Sequence, residues 1–240
     1  MAAAPHTPDT PDTPDTPLAI DLGDGTAVSG LVDAPPARAE AWYVFAHGAG
    51  AGMRHDFMAS LAAGLAARGI AVLRYQFAFM ERGSRRPDPP AVAQAAVRAA
   101  VAEARRRAAG LPLFAGGKSF GGRMTTQAHA AEPLPGVDGL VLVGFPLHPA
   151  GKPSVARAEH LASIRTPMLF LQGSRDALAD PTLIRQVVSR HPGPIDLELV
   201  PDADHAFHVP ARSGRGDAAI LESLLDTMAG WMRSRRPWRP

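Results

Sequence analysis

An α/β fold, a mostly parallel central sheet with helices on both faces, is what this sequence predicts, and three observations predict it. Short apolar runs of strand length, such as Trp42-Tyr43-Val44-Phe45-Ala46 and Met168-Leu169-Phe170-Leu171, lack the polar alternation of a half-exposed strand. Each is expected to be covered on both faces. These runs alternate with longer segments of helical periodicity, the pattern of parallel strands joined by right-handed crossovers. A chain of 240 residues, 46% of them hydrophobic, also suffices for one sizeable layered core.

The order of elements follows from local signals. Residues 7–17 repeat Pro-Asp-Thr, which buries no apolar surface, so residues 1–17 are expected to be a disordered or polyproline-like leader. The domain is expected over residues 18–234, with a basic tail at 235–240 and a frayed helix end from Trp231. Residues 18–22 and 27–32, separated by Gly23-Asp24-Gly25, read as an antiparallel hairpin. Residues 42–46 form a buried strand that runs into His47-Gly48-Ala49-Gly50-Ala51-Gly52. An amphipathic helix over residues 57–68, with Phe57, Leu61 and Leu65 on one face, ends at Gly69, and residues 70–75 are the next strand. A polar loop at 82–90 leads to an alanine-rich helix over 91–109, stopped by Gly110. A short strand from Leu111 to Ala115 is expected to end at Gly116-Gly117, with a helix over 124–131. Residues 139–144 and 168–173 are further buried strands, with a short connection between them that leaves no room for an inserted cap. Residues 181–190 form a helix with Leu183, Ile184, Val187 and Val188 inward. Residues 195–200 are the last strand and 217–232 the closing helix.

Composition excludes several classes. With no cysteine there is no disulfide, no zinc–thiolate site and no cysteine nucleophile. The net charge is +2, and the arginine clusters at 82–86, 105–107 and 233–239 are not interleaved with groove-fitting or stacking elements, so no nucleic-acid partner is expected. The first residues lack a basic and apolar signal segment, and no apolar stretch reaches the roughly 20 residues a bilayer demands. The protein is therefore expected to be soluble and cytoplasmic, with no membrane partner and no cofactor.

The chemistry concentrates at Gly117-Lys118-Ser119-Phe120-Gly121, a G-x-S-x-G turn in which a serine sits at the apex between strand and helix. Glycines two before and two after supply positions where a Cβ would collide in so sharp a turn. The helix N-terminus beside the serine favours negative charge, as an oxyanion needs. Gly-Lys-Ser also ends a phosphate-binding loop, but that motif requires glycine where Pro112 stands, a residue with fixed φ and no N–H to offer. A serine hydroxyl needs a base, and the base needs a carboxylate to hold its tautomer. Asp176 follows the strand ending at Gly173, and His205 follows the strand ending at Val200, which gives the chain order serine, acid, histidine, each at a strand end. His208 is close enough in sequence to exchange roles with His205, and Asp180 before Pro181 is the better helix cap. The oxyanion donors are expected to be the backbone N–H groups of Phe120 and of Ala49 or Gly50. His47 reads as a residue that orients that loop. Lys118, Arg123 and Arg54 lie near the expected mouth, where they would either favour an acidic substrate or stand as solvated charges. Asp202, Asp204, His205 and His208 together form a conceivable metal set, but no further ligand cluster has metal spacing, so no metal is expected.

The segments His47-Gly48-Ala49-Gly50, Gly116-Gly117-Lys118-Ser119-Phe120-Gly121-Gly122-Arg123 and Gly144-Phe145-Pro146-Leu147-His148-Pro149 resemble those of compact, cap-free proteins of the α/β-hydrolase fold, the dienelactone-hydrolase-like kind. The resemblance spans residues 18–231 and implies Ser119, Asp176 and His205 as a catalytic triad. It departs from true dienelactone hydrolases at the nucleophile, which is cysteine there, so that substrate is not carried over. The implied activity is hydrolysis of small carboxylic esters or thioesters through an acyl-enzyme, with a small-molecule acyl substrate as partner. The competing expectation is a non-catalytic binding or scaffold protein of the same fold. Oligomeric state is left open.

Overall fold

The computed structural model describes residues 16–235; the expected leader up to residue 15 and the tail from 236 lie outside them. In chain order the elements are β1 (Thr16–Asp21), β2 (Ala27–Asp33), β3 (Ala41–Ala46), α1 (Asp56–Ala67), β4 (Ile70–Tyr75), α2 (Ala78–Glu81), α3 (Pro90–Ala108), β5 (Leu113–Lys118), α4 (Phe120–Ala131), β6 (Val137–Val143), β7 (Met168–Gly173), α5 (Pro181–Arg190), β8 (Ile195–Val200) and α6 (Asp217–Ser234). The strands form one sheet in the order β1-β2-β4-β3-β5-β6-β7-β8. β1 and β2 pair antiparallel, β2 meets β4 antiparallel, and from β4 onward every neighbour is parallel. β1 opens at Thr16, where Thr16 and Pro17 pair with Val32 and Leu31, two residues ahead of the expected start.

The continuous apolar runs are covered on both faces. Along β3, Trp42, Val44 and Ala46 enter the core shared with α3, α4 and α5, while Tyr43 and Phe45 enter the core shared with α1 and α6. Side chains that alternate across the pleat thus feed two separate hydrophobic layers. On the second face α1 and α6 pack so closely that a Cβ on Gly64 would collide with the Leu225 side chain. α6 continues to Ser234, and Trp231 is buried with its indole N–H donating to Asp196 at 2.7 Å. The expected fraying is therefore absent at Trp231: its ring, packed on Phe114, anchors the helix end.

Two expectations around the sharp turn are corrected. β5 runs through Gly116 and Gly117 to Lys118 instead of ending at Ala115, and α4 starts at Phe120 instead of at residue 124. The glycines are strand residues because the sheet crowds them: a Cβ on Gly116 would overlap the Val141 carbonyl of neighbouring β6, which also accepts from Tyr43 Oη at 2.9 Å. In α5 only Ile184 is fully buried; Leu183, Val187 and Val188 are partly exposed because β8, against which the helix leans, is an edge strand. The connection between β6 and β7 holds a 3₁₀ helix, Ala156–Ser163, among the described residues, and no cap domain. No helix among them is long and apolar enough to cross a membrane.

Candidate active site

The parallel strands deliver their carboxyl ends to one edge of the sheet, and the loops leaving β3, β5, β7 and β8 meet there. Ser119 sits between β5 and α4 with φ 52° and ψ −115°, a strained geometry for a residue with a side chain. The strain is held by bonds on both sides: Ser119 N–H donates to the Val143 carbonyl at 3.0 Å, and its carbonyl accepts from Arg123 N–H at 3.1 Å. Gly117 and Gly121 leave the room this demands. A Cβ at either would stand 2.5 Å from the Ala46 carbonyl oxygen, which is backbone and cannot yield.

His205, from the loop after β8, presents Nε2 to Ser119 Oγ at 2.9 Å, and its Nδ1 lies 2.7 Å from Asp176 Oδ2. The carboxylate accepts the Nδ1 proton, which leaves the Nε2 lone pair facing the hydroxyl. Asp176 has a fully buried side chain, whereas the imidazole is 30% exposed toward the cavity. The second carboxylate oxygen accepts from Leu178 N–H at 2.7 Å, and Gln172 Nε2 donates to Oδ2 at 2.5 Å. Gln172 is a partner that sequence reading misses; its only signal is a lone amide ending the apolar run of β7, where it is wholly buried.

His208, three residues on from His205, has a different partner. It turns outward and pairs with Asp217 at 2.7 Å, an exposed contact that raises its pKa. Asp180 caps α5 by accepting from Thr182 and Leu183 N–H. Asp204 spends Oδ1 on the Ala206 and His208 N–H groups of its own loop. The conceivable metal set is thereby dispersed, and among the described residues no three His, Cys, Asp or Glu side chains gather as ligands would.

The loop after β3 faces Ser119 from the other side. His47 is buried, its Nδ1 donates to the Gly48 carbonyl at 2.7 Å, and its Nε2 accepts from Phe77 N–H at 3.0 Å. Burial between Phe77 and Phe79 lowers its pKa to about 4, so the ring is neutral and serves as a brace for the loop. Below the loop, Arg74 on β4 makes a buried two-pronged ion pair with Asp33 on β2 at 2.7 and 2.8 Å and donates to the Met53 carbonyl at 2.9 Å. Ala49 and Gly50 line the cavity beside Ser119, and Phe120 opens α4, whose first N–H groups have no partner within the helix.

That cavity has a volume of about 300 Å³ and is lined by Ala49, Ala51, Phe57, Met58 and Ala206 together with the polar side chains of His55, Lys118, Ser119 and His205. Of the three cations expected near the mouth, Lys118 lines this cavity. Lys118 donates to the His205 carbonyl at 2.6 Å, and burial pulls its pKa down to about 8. Arg54 borders the adjoining hollow formed with Gln76 and Glu81. Arg123 is half-buried, where desolvation and the neighbouring Arg157 lower its pKa.

Residues 39–233 match a protein family described as alpha/beta hydrolase domain. Among solved structures, the chain is similar to an α/β serine hydrolase without a lid from Xanthomonas campestris, at 23% identity and a TM-score of 0.72, covering 95% of this chain and 98% of that one. It is similar also to dienelactone hydrolase from Anabaena variabilis, with 18% identity, a TM-score of 0.72 and coverage of 92% and 97%. An α/β serine hydrolase homologue from Coxiella burnetii matches with 18% identity, a TM-score of 0.71 and coverage of 89% and 97%. At these identities the likenesses establish the fold.

Proposed function

The chain belongs to the alpha/beta hydrolase family, and from that premise we propose that it is a serine hydrolase of small, neutral carboxylic esters or thioesters. One observation carries the proposal: side chains from three separate strand ends form an unbroken chain of contacts, Ser119 to His205 to Asp176, at 2.9 and 2.7 Å. In this reading Ser119 Oγ attacks the acyl carbonyl as His205 Nε2 takes its proton. Asp176 holds the tautomer and stabilises the imidazolium that results. The developing oxyanion is held by the N–H groups of Phe120 and of Ala49 or Gly50, and loss of one such donor costs about 10²-fold or more in rate. The tetrahedral species collapses when His205 returns the proton to the leaving group, and water activated by the same imidazole then releases the acid.

The substrate class follows from the walls. A cavity of about 300 Å³ lined by alanine, methionine and phenylalanine, with His55 and Lys118 as its polar members beside Ser119 and His205, suits a short apolar acyl group. Lys118, the lysine on that wall, already donates to the His205 carbonyl, which supports a neutral acyl group over an acidic one. The likeness to named serine hydrolases supports a hydrolase in general; the acyl preference rests on the pocket.

The test labels wild type and Ser119→Ala with a fluorophosphonate, follows the adduct by intact mass, and then compares p-nitrophenyl butyrate, succinate and palmitate as substrates. One adduct on wild type, none on the variant, and a preference for butyrate are expected. No adduct on folded wild type would leave a binding protein of this fold in its place.

A further inference from the structure

The loop that carries His205 is strained. Asp202 and Phe207, on either side of the histidine, both have positive φ, 60° and 66°, in the left-handed region that side chains disfavour. A loop in that state persists only where neighbours over-determine it. Asp204 supplies part of the restraint from within, accepting from Ala206 and His208. From outside the loop, Ser174 Oγ accepts from Asp202 N–H, Arg175 N–H donates to the Ala203 carbonyl and Asp217 holds His208 and Val209 at the far end. At the histidine's own backbone the contact comes from the residue next to the nucleophile.

Lys118 ends β5 and sends its ammonium across the site to the His205 carbonyl at 2.6 Å. The same ammonium lies 5.5 Å from the Phe207 ring centroid and 6.0 Å from that of Phe57, and the two rings stack nearly parallel at 6.1 Å. The space it occupies is left by Gly144 at the end of β6, where a Cβ would stand 2.7 Å from the ammonium nitrogen. Carbonyl, two aromatic faces and a slot without a side chain together define a seat for one cation.

We propose that Lys118 is a positioning residue, a charged latch that ties the loop of the general base to the strand of the nucleophile and so sets the His205 to Ser119 distance. The inference rests on the hydrolase reading above. The latch holds the histidine by its backbone, leaving both ring nitrogens free for Asp176 and Ser119. Its charge has a purpose: an ammonium bonds a carbonyl more strongly than a neutral amine. The titratable groups facing it are Asp176 beyond β7, Asp204 and His205 beyond β8, and His55, which lines the same cavity ahead of α1. Burial brings the ammonium's titration down to about 8 while the two aspartates oppose that fall. The latch therefore weakens at moderately alkaline pH.

The experiment measures fluorophosphonate labelling rates, and kcat and KM for p-nitrophenyl butyrate, from about pH 6 to about pH 9.5 on full-length wild type, Lys118→Met and Lys118→Arg, with urea midpoints to show folding. Misplacement of a catalytic group by about 1 Å costs on the order of 10²-fold, so Lys118→Met should lose about 10- to 100-fold in kcat with KM changed less than about twofold. Lys118→Arg should recover part of the loss, since it restores the charge. Wild-type kcat should decline as pH rises past about 8, and that decline should vanish in Lys118→Met. Lys118→Met with wild-type kcat overturns the latch. Should the methionine variant not fold, a folded Lys118→Gln variant with wild-type kcat overturns the latch in its place. Wild type that takes no label at all would instead count against the hydrolase reading itself.

Discussion

At the scale of single residues, the site is built where side chains are missing as much as where they are present. Ser119 can hold φ 52° because Gly117 and Gly121 let the turn close against the Ala46 carbonyl. Gly121→Ala would set a Cβ 2.5 to 2.6 Å from three backbone atoms of Ala46 and His47. Backbone cannot rotate away as a side chain can, so the loss should reach about 3 kcal/mol, the upper end of overpacking costs. Urea midpoints of wild type and variant measure it, and a loss under about 0.5 kcal/mol would show that the turn yields more easily than its crowding implies. The G-x-S-x-G pattern announces this turn from sequence. Lys118 is the contrary case: its position beside the serine is legible, but its direction is not, because the ammonium's partner is a carbonyl on a loop far along the chain.

At the scale of elements, the loop after β3 is held from two sides, by His47 within it and by the pair of Arg74 and Asp33 beneath it. Both partners of that pair are buried, with side-chain exposures of 3% and 4%. Breaking a buried pair by removing one member leaves an uncompensated charge, which costs about 3–5 kcal/mol. Asp33→Ala should therefore destabilise by about that much, and the double variant Asp33→Ala with Arg74→Met should regain most of it. Equal urea midpoints for wild type and Asp33→Ala would assign the restraint elsewhere. No local pattern marks this pair, since Asp33 and Arg74 become neighbours only when β2 and β4 pair.

At the scale of the whole molecule, the two hydrophobic layers enclose groups that acid would charge. His47 and His160 are both held to about 4 by burial, well below the 6.5 of a solvated imidazole. A base with a depressed folded pKa binds fewer protons in the native state, so its contribution is complete above about 6.5 and is lost as pH falls toward about 4. His47 alone should lower stability by about 2 kcal/mol between about pH 7 and about pH 5. His160, less deeply buried, adds to the same trend, and the surface pair of His208 and Asp217 opposes it. Urea midpoints at the two pH values decide the matter, and identical midpoints would mean that His47 is free to charge in the folded protein.

The sequence by itself determined the alternation of strands and helices, the order of serine, acid and histidine, and the absence of room for a cap, because periodicity, turn chemistry and spacing are local properties of a chain. Boundaries that depend on neighbours were decided by the tertiary structure: Gly116 and Gly117 became strand because β6 lies against them, and Trp231 stayed in its helix because Asp196 and Phe114 receive it. The partners of the buried polar groups were likewise a tertiary matter. Phe77 N–H on His47 and Lys118 on the His205 carbonyl join residues far apart in the chain, while Gln172 and Asp176, four residues apart, meet across the turn that ends β7. A buried donor must find an acceptor, but which one it finds is set by how the sheet brings its carboxyl ends together.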